Sequence, residues 1–269
     1  MTSNGVARNS QYMTPAWAAE RLVEIYFPNL DESDLVVEPT CGTGAFLAAL
    51  PPHVPAIGVE LDPELAAIAE RNTGRPVRNC DVRGFLAPAG VTAVMGNPPF
   101  RADLVRDLIR TARAWLPHGG LCGLVLPAYL FQHARPTLDL ARDWRVEADH
   151  IPRDLFPGLT KPLVFAALHK GGRTLVGFSL YDETADVATL AEQFREALQK
   201  PVHRPWRAVV HEALAALGGE ASLGELYEAV APRRPSGNRW WKEKVRQVSQ
   251  RYFVRLGRGR YGLPQPEVA

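Results

Sequence analysis

The sequence predicts an α/β fold, a mostly parallel sheet wound with helices, followed by a small helical unit that ends in a hairpin. Three observations carry this expectation. Between Asp34 and Trp115, short apolar runs of strand length alternate with stretches of helical period. Successive apolar runs end in Glu38, Glu60, Asp81 and Asn97, and the C-terminal ends of strands are where open α/β sheets bind ligands. Charge is divided unevenly: residues 201–269 carry 12 Lys and Arg against 6 Asp and Glu, whereas residues 1–200 carry 19 against 23.

The elements follow in order. Thr14-Pro15 reads as an N-cap with proline at the first helical position, so a helix is expected from Pro15 to about Phe27. A strand from Asp34 to Glu38 leads through Pro39-Thr40-Cys41-Gly42-Thr43-Gly44 into a helix from Ala45 to Leu50. Further strands are expected at Ala56–Val59, Pro76–Asn79, Val91–Gly96 and Leu121–Leu126, with a helix at Ala102–Trp115. Pro127 to Arg142 reads as helical or irregular. Arg145–His150 and Leu163–Leu168 complete seven strands, and Leu175–Leu180 reads as an extra edge or hairpin strand.

Val187, Leu190, Phe194 and Leu198 fall at helical spacing and predict one helix over Asp182–Lys200. Pro201 and Pro205 then mark a boundary. The expected organisation is a domain at 1–181, a linker helix at 182–204 and a second domain at 205–269. In the latter, Ala208–Leu217, Leu223–Val230 and Arg239–Val248 read as helices, and Tyr252–Leu263 as a hairpin around Gly257-Arg258-Gly259. Three helices and a hairpin form the pattern of a winged helix-turn-helix. The third helix would present Arg239, Lys242, Lys244 and Arg246 and the wing Arg255, Arg258 and Arg260, a one-sided charge suited to nucleic-acid phosphates. A solvated basic face on a protein-interaction module is the alternative. Trp240 and Trp241 are expected as one packed and one surface aromatic.

The chemistry concentrates upstream. In Asn97-Pro98-Pro99-Phe100 an amide oxygen stands beside a Pro98 carbonyl whose ring nitrogen has no hydrogen, which makes an acceptor site able to grip an exocyclic amino group. Phe100 offers a flat face to the ring that carries the amine. Gly42 and Gly44 permit close approach of a ligand to the turn and the following helix. Glu60 lies 22 residues beyond Glu38, where a carboxylate can accept both hydroxyls of a ribose. Asp81 is placed to accept an amino hydrogen from an adenine, or simply to cap a turn.

These residues resemble the S-adenosylmethionine-dependent methyltransferases that modify exocyclic amines, most closely the gamma-class adenine-N6 DNA methyltransferases. In that resemblance Gln11-Tyr12-Met13-Thr14-Pro15 is similar to the N-terminal cofactor motif, Glu38 to Phe46 to the Gly-rich motif, and Asn97 to Phe100 to the catalytic motif. Glu60 is similar to the ribose acid and Asp81 to the adenine contact. It implies a Rossmann-like domain, cofactor contacts from Tyr12, Thr14, Glu38, Thr40, Gly42, Gly44, Glu60, Asp81 and Asn97, and catalysis at Asn97, Pro98 and Phe100. Leu155 to Lys161 is similar to the loop whose aromatic, here Phe156, covers the target base opposite Phe100. The implied substrate is a flipped-out adenine in duplex DNA. Guanine-N2 in ribosomal RNA, cytosine-N4 in DNA, protein glutamine and a non-catalytic DNA-binding regulator remain open alternatives.

Composition agrees without deciding. The 46% apolar content suffices for a core, no membrane-length apolar run or signal peptide is visible, and a cytoplasmic protein is expected. Cys41, Cys80 and Cys122 lack metal-ligand spacing and are expected as buried thiols in a reducing compartment. The histidines, among them His53, His118, His133, His150 and His203, show no paired spacing, so no metal is expected. The small recognition region predicts a short target site read by two subunits, a homodimer on a palindrome.

Overall fold

In the computed structural model, residues 12–156, 158–192, 194–195, 205–234 and 239–264 are described. The chain divides into two compact units, Met1–Phe178 and Ser179–Ala269.

The first unit begins with α1 (Ala16–Tyr26) and runs β1 (Val36–Pro39), α2 (Ala45–Ala49), β2 (Ala56–Glu60), α3 (Pro63–Thr73), β3 (Val77–Asn79), β4 (Ala93–Gly96), α4 (Ala102–Trp115) and β5 (Leu121–Pro127). A 3₁₀ turn at Ala128–Phe131 and α5 (Ala134–Leu140) precede β6 (Trp144–Ile151), β7 (Leu163–Lys170) and β8 (Leu175–Val176). The sheet order is β3-β2-β1-β4-β5-β7-β6-β8. Pairing is parallel from β3 through to β5, and β7 is antiparallel to both β5 and β6. The seven expected strands are present, and the eighth is a two-residue edge strand, shorter than the Leu175–Leu180 run suggests. Gly177 and Leu180 both adopt positive φ, which ends the extended backbone.

Why these segments are strands is visible in their burial. Val36, Ala93, Met95, Val125 and Phe165 pack into one core with Ala19 and Val23 of α1, while their neighbours Val37, Val94, Leu124 and Val164 pack into another with Val105 and Leu108 of α4. Successive residues point to opposite faces, and helices cover both, so the strands read as continuous apolar runs. On α4 the buried residues Val105, Leu108 and Ala112 recur at helical spacing.

Gly44 shows how the turn after β1 depends on glycine. Its φ is 86°, and a Cβ there would lie 2.9 Å from Thr73 Cγ2 and 3.3 Å from Ala69 Cβ on α3. Gly44→Ala is expected to lower stability by about 1–3 kcal/mol, from left-handed strain plus overpacking. Thermal unfolding of the variant checks this.

Two expectations for this unit need correction. Thr14 does not cap α1; Pro15 occupies the N-cap position and no side-chain cap bond forms. Cys41 and Cys122 are buried, but Cys80 is only half-buried because it follows the outer strand β3.

The second unit opens with α6 (Tyr181–Ala188). The single helix expected over Asp182–Lys200 is not continuous: Thr189 and Leu190 turn back on Asp186 and Val187, and no residue of α6 is buried to reward its extension. Leu198 and Pro201 lie outside the described residues. The unit continues with α7 (Pro205–Ala216), β9 (Glu220–Ser222), α8 (Leu223–Val230), α9 (Trp241–Tyr252), β10 (Val254–Gly257) and β11 (Arg260–Gly262). Val210, Leu214, Leu226, Val230 and Val245 form its core, and the three strands pair antiparallel in the order β10-β11-β9. This is the arrangement of a winged helix-turn-helix. A capping box starts α8: Ser222 Oγ accepts from Glu225 N at 3.3 Å, while Ser222 N donates to Glu225 Oε2 at 2.8 Å.

Candidate active site

The ends of β1, β2 and β4 share one rim of the first unit, and their side chains are tied to the loops around them. Glu38, only 2% exposed, accepts a hydrogen bond from Leu47 N at 2.9 Å. Burial pushes its carboxyl up to about 8, the backbone donors of Leu47 and Phe46 pull back only part of that, and the nearby Glu60 charge adds to the rise. Glu60 bridges two segments: Oε2 accepts from Gly42 N at 2.8 Å and Oε1 from Asp62 N at 3.0 Å. Thr40, Gly42 and Gly44 all have positive φ, so the loop between β1 and α2 turns tightly past Glu60.

Two adjoining clefts open on this rim. One, about 30 Å³, is lined by Tyr12, Met13, Thr14, Glu38, Gly42 and Asn97 among others. The second, about 170 Å³, has Glu60, Leu61, Asp81, Arg83, Arg101 and Leu104 in its wall. Thr40 and Pro99 border both, which makes them two lobes of one groove. The structure therefore brings Tyr12, Thr14, Glu38, Thr40, Gly42, Glu60, Asp81 and Asn97 to one place. Gly44 acts behind it, at the start of α2, and Gln11 lies outside the described residues.

Asp81 does cap a turn: its Oδ1 accepts from Arg83 N at 2.9 Å at the start of the Val82–Gly84 3₁₀ turn. The Arg83 guanidinium also bonds it, and these bonds, the side-chain ones foremost, hold the carboxyl down to about 2. It does so while forming part of the cleft wall. Met13, Leu61, Pro99, Arg83 and Arg101 also line the groove and were not singled out from the sequence. Pro99 sat inside the motif already noted, whereas Leu61 and Arg101 gave no signal beyond following Glu60 and Phe100.

Asn97 has the most unusual environment. Its Nδ2 donates to the Tyr12 carbonyl at 2.7 Å and to Thr14 Oγ1 at 3.2 Å. Its Oδ1 is buried and has no hydrogen-bond partner. A carbonyl cannot donate, so the amide is held with its nitrogen toward Tyr12 and its oxygen turned the other way. Leaving a buried acceptor unmet costs about 1–3 kcal/mol, so this oxygen stands out from the other buried polar atoms around the groove.

The aromatic wall is built differently from expectation. Phe100 is 9% exposed and Phe156 2%, and both belong to the core on the α1 side. Tyr12 stacks on Phe100 at 5.8 Å between centroids and meets Phe156 edge-on at 6.4 Å. The Tyr12 ring therefore covers one face of Phe100. Pro98 is buried and does not line either lobe.

A roomier cavity, about 600 Å³, lies between α1 and the end of β6, beside Trp17, Ile25 and Phe165. Its lining is chiefly apolar, and among its polar residues Tyr26 is already hydrogen-bonded to Asp149, so size alone does not identify the site.

In the second unit the predicted basic residues are all exposed. Arg239 precedes the third helix rather than lying on it, because the helix starts at Trp241. Arg246 pairs with Glu243 at 2.7 Å, Arg260 pairs with Glu220 at 3.1 Å, and Lys242 lies over the Tyr227 and Trp241 rings. Arg255 approaches the Gly257 carbonyl at 3.4 Å, and Lys244 and Arg258 stand exposed on the helix and wing. Trp241 packs against the core and Trp240 is 65% exposed, as the sequence suggests.

The sheet order, the antiparallel β7 and the groove at the strand ends together define the class I methyltransferase fold. Solved structures share it. A Listeria monocytogenes protein assigned to the class I S-adenosylmethionine-dependent methyltransferases matches with a TM-score of 0.53 and 16% identity, over 64% of this chain and 67% of that one. The M protein of the type I restriction enzyme EcoKI matches with a TM-score of 0.51 and 18% identity, over 60% of this chain and 44% of its own. The 23S rRNA methyltransferase ErmE matches with a TM-score of 0.51 and 14% identity, over 83% of this chain and 99% of its own. No protein family and no curated protein matches the chain by sequence. No helix among the described residues is long and apolar enough to cross a membrane.

Proposed function

We propose that this protein is an S-adenosylmethionine-dependent DNA methyltransferase that modifies the N6 amino group of an adenine flipped out of duplex DNA. The observation that carries the reading is the unsatisfied, buried Oδ1 of Asn97 at the rim of the groove. It fits a ligand that brings an N–H donor.

The residues present also fit the cofactor. Glu38 and Glu60 place carboxyl groups where a cation can be held, and the open turn at Gly42 leaves room for a ligand against backbone, since only the flexible Met13 lies within 4 Å of where a Cβ would stand. Each Glu60 oxygen already takes one backbone donor and keeps a second lone pair for a ribose hydroxyl. Bound there, S-adenosylmethionine supplies an electrophilic sulfonium methyl group. Asn97 Oδ1 would accept a hydrogen bond from the exocyclic amine, favour a pyramidal nitrogen and stabilise the positive charge that develops on it. No side-chain base is required, because the amine becomes acidic as it is alkylated and its proton passes to solvent.

Removing a base from the duplex costs a few kcal/mol, and a stack on an aromatic ring returns about 1–3 kcal/mol. Phe100 and Phe156, both in contact with the Tyr12 ring, are the aromatics against which the base would lie with that ring moved aside. The exposed Lys244 and Arg258, with Arg239, Lys242, Arg246, Arg255 and Arg260, form the surface for DNA phosphates, and two copies of so small a reader would address a short palindrome.

The test is direct. The protein is titrated with cofactor, then incubated with it and with unmodified genomic DNA, total RNA or a protein extract, and the nucleosides and amino acids are analysed by mass spectrometry. N6-methyldeoxyadenosine in the DNA is expected. A methylated cytosine, an RNA guanine or a protein glutamine would redirect the substrate. Cofactor binding absent altogether would leave a DNA-binding regulator.

A further inference from the structure

We propose that Thr14 is a positioning residue for Asn97, holding in place an amide whose nitrogen is turned to the Tyr12 carbonyl; this rests on the methyltransferase reading above. The torsion at the end of an Asn side chain is broad and roughly two-fold, so the side chain alone does not choose between its two faces. Here the Tyr12 carbonyl, which can only accept, takes Nδ2 at 2.7 Å and makes the choice, while Thr14 Oγ1, a hydroxyl able to accept or donate, holds the same nitrogen at 3.2 Å. Turned over, the amide would set Oδ1 against the Tyr12 carbonyl oxygen at hydrogen-bond range, acceptor against acceptor. Thr14 is half-buried, and its hydroxyl makes no cap bond to α1, so the helix start does not account for it. Because the Tyr12 ring also covers Phe100, the same three residues both hold the acceptor and screen the aromatic wall. Rotation of the Tyr12 ring leaves its carbonyl on Asn97.

The experiment compares Thr14→Val and Thr14→Ser with the wild-type chain. Three quantities are read: kcat at saturating cofactor, cofactor affinity by calorimetry, and the Asn97 side-chain amide resonances in a ¹⁵N-labelled sample, assigned by their loss in Asn97→Asp. Loss of one neutral hydrogen bond corresponds to about a 2- to 10-fold effect. The expected result is a kcat lowered by about that factor in Thr14→Val, displaced Asn97 amide resonances, unchanged cofactor affinity, and restoration of the rate and the resonances by Thr14→Ser. Backbone amide spectra establish that each variant is folded; Thr14→Ala replaces the valine if that variant is not. Unmoved Asn97 resonances in Thr14→Val overturn the proposal. So does a weakened cofactor affinity with kcat intact, which would make Thr14 a cofactor contact. If the wild type transfers no methyl group, the methyltransferase reading fails separately, and the resonances alone decide whether Thr14 orients Asn97.

Discussion

Asn97→Ala is expected to lower methyl transfer by about 10²–10³-fold, the usual cost of removing one preorganised hydrogen-bonding group from a site where charge develops. Cofactor affinity should fall far less, because Asn97 is one of many residues lining its lobe of the groove. Stability should also change little. The substitution frees the Tyr12 carbonyl and Thr14 hydroxyl, but it removes an acceptor buried without a partner, and these effects oppose one another. A large fall in rate with near-normal melting and cofactor titration is the combined signature. Equal losses in all three would mean that Asn97 is structural.

Glu38→Gln is expected to make the free protein more stable at alkaline pH and to weaken cofactor binding. The native carboxyl is raised to about 8 by burial, whereas in the unfolded chain it returns to the ordinary range near 4.5. Between those values the unfolded chain has released the proton and the native chain has kept it, so stability falls as pH rises through this window. The penalty is absent below about pH 4.5 and complete above about pH 8, where it is on the order of 4 kcal/mol. Glutamine mimics the protonated acid and removes it. At pH 8–9 the variant should melt on the order of 10 °C above the wild type, and at pH 5 the two should coincide. A bound cation would draw the native carboxyl back toward ionisation, so wild-type cofactor affinity should rise with pH below 8, and in Glu38→Gln this dependence should vanish. Melting curves that stay parallel at every pH would sink the argument.

The parallel half of the sheet was legible because its strands are covered on both faces and spell out as apolar runs ending in polar residues: Val36-Val37 before Glu38, Val94-Met95-Gly96 before Asn97. Composition and spacing carry that information directly. They do not carry which hydrogen bond a hydroxyl makes. Thr14 before Pro15 has every local mark of a helix cap, yet its oxygen serves Asn97, 83 positions away in the chain. Tyr12 was legible as part of a motif but not as the ring lying on Phe100, since that stack depends on how the segment before α1 folds over the end of β4. The helix expected over Asp182–Lys200 failed for a related reason. Val187 and Leu190 have the right spacing, but periodicity predicts a helix only where something receives its apolar stripe, and α6 buries none.

The reversal of β7 fixes where this architecture can grow. Because β6 runs alongside β5 and β7 comes back between them, Ile151 and Pro127 both stand opposite Leu163, and residues 152–162 hang from the same rim as Asn97. Phe156 and Leu159 root that hinge of chain in the core. Between those two anchors lies Gly158 in open space, without a neighbouring atom within 4 Å of where a side chain would begin. Extra residues added at that point would lengthen this connection between β6 and β7 while the strands carrying Glu38 and Glu60 stayed untouched, so one rim of the scaffold can change length without disturbing its parallel half.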